Sequence, residues 1–271
     1  VNTRALYAVM LALLLPLIAY FIVKQYSNTA VIMPRHYLPD SVINVTKEGK
    51  LHSDTVWHRV ADFHLTNQMG RQVSFADLKQ DDSTGKIIVA DFFFTHCPTI
   101  CVPMAKNMKR LQQSITNARK VGDQTPDFVH FLSFSIDSER DSVPQLKKWA
   151  DRFQIDPEQW WLLTGDKKSI YDFCLNELKL GLMDGNGIDT DFVHSDKFVL
   201  IDRNRNVRGY YSGLDSADLA RLSQDIILLT LEKDPKKKSF FAGKLQIMAV
   251  AMLVALFGVG LFLFLYRKKS K

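Results

Sequence analysis

Residues 86–94 (KIIVADFFF) are an almost unbroken run of β-branched and aromatic side chains, and three positions further on stands Cys97-Pro98-Thr99-Ile100-Cys101. A run of this length and composition predicts a buried strand. Thr95 and His96 make a short connection, and Pro98 suits the first position of a helix, where no backbone N–H partner is required. The two thiols are therefore expected where a strand ends and a helix begins. The positive end of that helix lowers the pKa of Cys97 and favours its thiolate. Residues four apart on a helix share a face, which sets Cys101 one turn above Cys97. Two such thiols can share one soft metal ion or one disulfide. The bland alternative, two small core residues, fits poorly with thiols that bracket a proline at a helix start.

The chain has 271 residues and a net charge of +6. Residues 5–23 (ALYAVMLALLLPLIAYFIV) are uncharged and apolar, long enough at about 1.5 Å per residue to cross, or nearly cross, a hydrocarbon core of about 30 Å. Residues 245–266 form a second such run, interrupted only by Gln246 and followed by Arg267-Lys268-Lys269-Ser270-Lys271. Both are read as transmembrane helices. The first lacks an A-x-A pattern after it, which favours an uncleaved anchor over a secretory signal, and Pro16 is tolerated within a span.

Two spans place the intervening domain on one side of the membrane. The basic tail argues for a cytoplasmic C-terminus, while Lys233 and Lys236-Lys237-Lys238 on the domain side argue the other way. Dithiol chemistry suits an oxidising, copper-accessible compartment. The expectation is a bacterial cytoplasmic (inner) membrane protein whose domain faces the periplasm. These flanking lysines account for most of the net charge. Basic residues interleaved with aromatics across the domain are lacking, so nucleic acid is excluded as a partner.

Between the spans the order of elements reads β-α-β-α-β-α-β-β-α after an initial hairpin. That hairpin turns at Asn67-Gln68-Met69-Gly70. The central strand at residues 86–94 follows, then a helix from Pro98 to Thr116 with Met104, Met108, Leu111 and Ile115 facing the core. A strand spans residues 128–136, a helix Val143–Phe153, and a short strand residues 160–163. The next helix, residues 169–178, carries Cys174 on its apolar stripe as an inert buried thiol. A hairpin turns at residues 203–206, and Ser216 caps a last helix running to about Leu231. Residues 24–53 read as a stalk and lead-in, with Pro34, Pro39 and Gly49 and no sustained periodicity. The fold class is α/β: a thioredoxin-like domain, a mixed sheet flanked by helices, between two transmembrane helices. The divisions are 1–24 anchor, 25–56 stalk and lead-in, 57–235 thioredoxin-like domain and 236–271 second span with basic tail.

Two thiolates bind copper well with one more ligand, and imidazole is suited to it. Of the seven histidines, His36 and His52 lie in the lead-in, His58 and His64 near the first hairpin, and His130 within a strand. His96 adjoins the thiols but is expected to point elsewhere. His194, in the loop before the last hairpin, is the candidate that a thioredoxin-like fold brings beside the thiols. Spacing alone leaves the choice open.

Here the chain resembles a known family. The stretch FFFTHCPTIC, the segment Ser135-Ile136-Asp137-Ser138-Glu139-Arg140-Asp141, Val193-His194-Ser195 with the hairpin FVLIDRNRNVRGYY, and the lead-in pattern LTN…G…V…DLK occur in the order seen in the Sco/SenC family of copper-binding cytochrome c oxidase assembly proteins. The resemblance runs from about Phe63 to Leu231. It implies a thioredoxin-like fold, a copper site made of Cys97, Cys101 and His194 that takes Cu(I) or Cu(II), and a role at the binuclear copper centre of cytochrome c oxidase. The partner implied is the copper-centre subunit of that oxidase. Three features depart from the family pattern. Val102 intervenes before Pro103, Thr99 stands where Asp is frequent, and a second apolar run follows the domain. The rival from another class is a membrane-anchored thiol–disulfide reductase that uses Cys97 and Cys101 as its redox pair and carries no metal. Disulfide exchange has no need of His194. A Pro-x-x-x-Thr-x-x-Cys arrangement, which would favour a peroxidase, is lacking.

Overall fold

A computed structural model describes residues 32–47, 50–81, 84–119, 128–183 and 195–232, with Leu14, Ile18 and Ile22 as isolated helical positions. The chain divides into one unit of residues 1–231 and a second of 232–271. No helix among the described residues is long and apolar enough to cross a membrane. The expected spans fall outside the described residues, except for those three helical positions in the first.

The core of the first unit is a seven-stranded sheet of order β11-β10-β7-β8-β9-β3-β4. Its centre is β7 (Ile87–Phe93), β8 (Val129–Ser135) and β9 (Trp160–Thr164), which run parallel. Every residue of these three strands is buried, as a parallel sheet covered on both faces requires. This is why their sequences read as continuous apolar runs. On one side β10 (Lys197–Ile201) and the edge strand β11 (Val207–Ser212) continue the sheet antiparallel. On the other, β3 (Leu65–Asn67) and β4 (Gln72–Val73) form the short hairpin expected there. The Asn67 carboxamide fixes its turn by accepting from the backbone N–H groups of Met69 and Arg71 at 3.0 Å each. A small hairpin, β5 (Lys79–Asp81) with β6 (Thr84–Gly85), leads into β7.

The helices connect and cover these strands. They are α1 (Cys101–Arg119), α2 (Val143–Phe153), α3 (Lys167–Asp172, continued by a π-helical turn at Phe173–Glu177), α4 (Leu180–Met183) and α5 (Ser216–Leu231). Met104, Met108 and Leu111 bury the inner face of α1, so its methionines are packing. The fold is the thioredoxin-like α/β arrangement read from the sequence.

Three local readings change. Pro39–Lys47 (β1) and Lys50–Trp57 (β2) pair as a separate antiparallel hairpin where a lead-in without secondary structure was expected. Helix α1 begins at Cys101 rather than Pro98, and residues 98–100 are a bend. The last helix is capped by Asp215, whose carboxylate accepts from the Ala217 N–H at 3.1 Å, and not by Ser216.

Candidate thiol and metal centre

Strand β7 ends at Phe93 in the middle of the sheet, and the chain leaves it through Phe94, Thr95 and His96. The Cys97 N–H donates to the Phe94 carbonyl at 3.2 Å, which turns the backbone back over the strand end. The bend at residues 98–100 follows, and α1 starts at Cys101. Ile100 serves as the helix cap, its carbonyl accepting from Met104 N–H at 3.0 Å. The first N–H groups of a helix have no intrahelical partner. That of Cys101 donates to the Cys97 sulfur at 3.4 Å. The two thiols therefore lie side by side although Cys97 is not itself helical. Both are buried, 7% and 4% exposed, and no disulfide joins them.

The pair is electrostatically uneven. Burial opposes ionisation of Cys97, but hydrogen bonds to its sulfur from the Cys101 thiol and from the N–H groups of Thr99 and Cys101 outweigh it, and its pKa falls below the ordinary thiol value. Cys101 moves strongly the other way, first through burial and then through the neighbouring Cys97 sulfur, with Asp91 adding in the same sense. Thus the Cys97 thiol ionises more readily than that of Cys101. The Thr99 hydroxyl, at the position where the sequence departs from the resembling family, stands 3.8 Å from the Cys97 sulfur.

Asp141 fixes the approach to the thiols. Its buried carboxylate accepts from the Thr95 N–H at 3.0 Å, from the Thr95 hydroxyl at 2.5 Å and from the Ser135 hydroxyl at 2.6 Å. Arg140 pairs with Asp137 instead, at 2.6 Å. The segment 135–141, part of the family resemblance, is structural in a particular sense. It ties the loop after β8 to the loop that carries the thiols.

A second buried acid lies beneath. Asp91 and Ser133 are paired across β7 and β8. The Ser133 hydroxyl donates to the Asp91 carboxylate and accepts from the Trp160 indole N–H at 2.8 Å. Burial raises the Asp91 pKa from 3.8 to about 7, against the opposing effect of the Ser133 bond. An acid inside an otherwise apolar strand, six residues before Cys97, is the sequence signal that marks it, since carboxylates are rarely buried without a partner.

Four other histidines have other occupations. His58 lies between Asp40 at 3.2 Å and Glu177 at 3.1 Å, and His36 stacks on Trp57. His130 is buried against the Trp161 ring, with its pKa lowered to about 3 by burial. His96 is half exposed, its Nδ1 3.0 Å from the Thr95 hydroxyl. Cys174 is fully buried in the π-helical turn, as expected for an inert thiol. His194 lies outside the described residues, and among the described residues no cluster of three His, Cys, Asp or Glu side chains could hold a metal. The chain resumes at Ser195 and Asp196. The Asp196 carbonyl accepts from the Gly213 N–H at 2.6 Å, and the Gly213 carbonyl accepts from the Asn107 side chain on α1 at 2.7 Å. The start of β10 is thereby tethered to the helix that begins at Cys101. Two adjacent sulfurs suit a soft ion such as copper.

Fold and site define a thioredoxin-like protein with a vicinal, electrostatically uneven dithiol at its central strand end. Residues 54–227 match the SCO1/SenC family model, and the chain belongs to that family. It is 32% identical over 179 residues to the SCO1 protein homolog of Bacillus subtilis (strain 168), covering 66% of this chain and 86% of that one. The crystal structure of a SCO1/SenC family lipoprotein from Bacillus anthracis is 32% identical with a TM-score of 0.53, over 64% of this chain and 95% of that one. A structure of BsSco, described as containing a disulfide switch and as a member of the Sco family of cytochrome c oxidase assembly proteins, is 29% identical with a TM-score of 0.53, over 66% and 96%.

Proposed function

We propose that this chain is a membrane-anchored copper chaperone that carries copper on Cys97, Cys101 and His194 and delivers it to the binuclear copper centre of cytochrome c oxidase. The observation that carries the reading is the 3.4 Å contact of the Cys101 N–H with the Cys97 sulfur, which sets the two thiols of the motif side by side. Family membership and the description of BsSco as an oxidase assembly protein support it. Two thiolates favour Cu(I), and an imidazole makes Cu(II) tolerable. The tether from Asp196 through Gly213 to α1 supports His194 as the third ligand, because it holds the strand that follows His194 against the thiol-bearing helix. The apolar runs at residues 5–23 and 245–266 serve as anchors, and the domain works on the periplasmic side of a bacterial cytoplasmic membrane.

A second reading rests on the uneven pKa values of the pair. The Cys97 thiolate attacks one sulfur of a partner disulfide and forms a mixed disulfide, expelling the other partner sulfur as a thiolate. Cys101 then loses its proton and attacks the Cys97 sulfur, releasing the second partner thiolate. The partner is reduced by two electrons and this chain is oxidised to its Cys97–Cys101 disulfide. The same oxidation removes both sulfur ligands, so it gates delivery in the chaperone reading.

Cu(I) competition titration of the reduced chain, with Cys97→Ala and His194→Ala beside it, tests the choice. Tight one-to-one binding lost in both variants supports the carrier. Weak binding indifferent to His194 refutes it and leaves the reductase.

A further inference from the structure

The β1–β2 hairpin stands apart from the seven-stranded sheet. Its strands pair with each other and with no strand of that sheet. It is held at its base, where the His58 N–H donates to the Leu38 carbonyl at 2.8 Å and the His58 ring meets Asp40. The family match begins at residue 54, so all of β1 and residues 50–53 of β2 precede it. Cross-strand partners share a face of a sheet. One face carries Ser41, Ile43, Asp54 and Val56, the other Val42, Asn44, Ser53 and Thr55. All of these but Thr55 are exposed, so neither face is covered. A two-stranded hairpin is marginal in water, and independent stability takes three or more strands or packing against another element.

The two outer edges of the hairpin differ. Edge strands are ordinarily blunted by charged side chains, proline or a bulge. The β2 edge carries Asp54 near its middle. The β1 edge carries no charge or proline from Ser41 to Thr46 (SVINVT), a run that includes the β-branched Val42, Ile43, Val45 and Thr46. Its bulge lies before this run, between Pro39 and Ser41. Among the described residues no backbone group outside the hairpin bonds to the run. Charges stand only at its two ends, Asp40 at one and Lys47 at the other. The Asp40 side chain is half exposed even with its His58 contact.

We infer that β1 pairs antiparallel with β1 of a second copy of this chain, giving a four-stranded sheet of order β2-β1-β1-β2 with its two-fold axis near Ile43 and Asn44. Copies related by a two-fold axis present the same strand to each other. The antiparallel sense brings the Asp40 end of each strand to the Lys47 end of the other, whereas a parallel sense would set like charges together. Ile43 and Val42 gain cross-strand neighbours. The β2 edges, each carrying Asp54, are left outside, so the assembly closes at two copies.

The test uses the full chain in detergent solution, with p-benzoylphenylalanine at the position of Ile43 or, as a control, of Gln72 on the edge strand β4. Photolysis is read by gel for crosslinked dimer and by peptide mass spectrometry for the residues joined. Dimer yield at Ile43 is expected to be at least about fivefold above that at Gln72, with the crosslink mapping to residues 41–46 of the second copy. Asn44 faces the uncharged Ser53 within its own hairpin, so a charge placed there is met by the second copy. Asn44→Lys and Asn44→Asp, each alone, set like charges beside the axis and are expected to lower the yield about threefold or more. An equal mixture of the two is expected to restore at least about half of the parent yield. A yield at Ile43 no higher than at Gln72, a crosslink that maps to another element, or a yield indifferent to either charge overturns the pairing. Loss in both variants with no recovery in the mixture overturns the antiparallel arrangement about Asn44.

Discussion

Replacing Asp91 by Asn should convert a pH-dependent stability into a flatter one, and the size of the change follows from its surroundings. The carboxyl group is 2% exposed and has a single described hydrogen-bond donor, Ser133. Its pKa rises from 3.8 to about 7 because burial penalises the carboxylate. The sign is that of any acid that holds its proton more tightly when folded. Between pH 3.8 and about 7 the folded chain keeps this proton and the unfolded chain does not. Unfolding then releases a proton, and stability falls as pH rises through that window. Three pH units at about 1.4 kcal/mol each give at most about 4 kcal/mol. Relaxation of the buried site brings the measured figure below this.

Asparagine reproduces the shape of the neutral acid and cannot ionise. The stability of the Asp91→Asn variant minus that of the parent should therefore be small or negative near pH 4. The difference should rise towards about 4 kcal/mol by pH 8. Equilibrium urea denaturation of both reduced proteins across this range measures it, with free energies taken from midpoints and slopes. Titrating groups that do not interact with Asp91 cancel in the difference. Parallel profiles for the two proteins, offset by a constant, would refute the assignment of a raised pKa to Asp91.

Three further outcomes are expected. In a Cys174→Ser background, iodoacetamide near pH 7 should modify Cys97 at least about tenfold faster than Cys101, read by peptide mass spectrometry, because the attacking species is the thiolate. Equal rates would remove the asymmetry on which the reductase reading depends. Asp141→Ala leaves the hydroxyls of Thr95 and Ser135 and the Thr95 N–H without their common acceptor. It should cost about 2–4 kcal/mol of stability in thermal or urea unfolding, and it should weaken Cu(I) binding although no ligand is removed. Arg208→Met strands the buried Asp202 carboxylate, which its guanidinium meets at 3.0 Å. The expected loss is about 3–5 kcal/mol, and a change near zero in the melting temperature would contradict it.

The parallel strands and the thiol motif were legible because their signals are local. A buried parallel strand must be apolar at nearly every position, so residues 86–94, 128–136 and 160–163 declare themselves without reference to neighbours. The start of α1 was not legible to the residue. Pro98 and Pro103 both stand within the first helical turn of some plausible frame, since any of the first N–H groups is dispensable there. The choice falls to Cys101 because the Cys97 sulfur accepts its N–H, a contact that no propensity encodes. The β1–β2 hairpin was hidden by the prolines at 34 and 39, and its exposed apolar residues, such as Val42 and Ile43, give no buried face to read. The tie from Asp141 to Thr95 spans 46 positions. Sequence placed Thr95 in a short connection and Asp141 in a separate motif, and it gave no reason to join them.

The uneven pair bears on how a cargo is held and let go. Cys97 sits on a bend whose residues Pro98 and Thr99 are exposed, whereas Cys101 is fixed in the first turn of a long helix. If an ion were held by both sulfurs, one ligand would belong to the first turn of α1 and the other to the segment before it. The N–H groups that favour the Cys97 thiolate also occupy its lone pairs, so at the proposed site they would compete with a bound ion. Cys101 must in turn give up a proton that burial and its neighbour hold strongly. At the proposed site both effects would lower affinity below what two unencumbered thiolates would provide, and metal binding would be coupled to proton release. A carrier that must surrender its ion to a recipient site is served by that compromise, while a permanent structural site would favour two equivalent, fully ionised thiolates. Copper affinity should accordingly rise with pH above neutrality, as Cys101 becomes easier to deprotonate, and a pH-independent affinity would show that the proton on Cys101 is not displaced on binding.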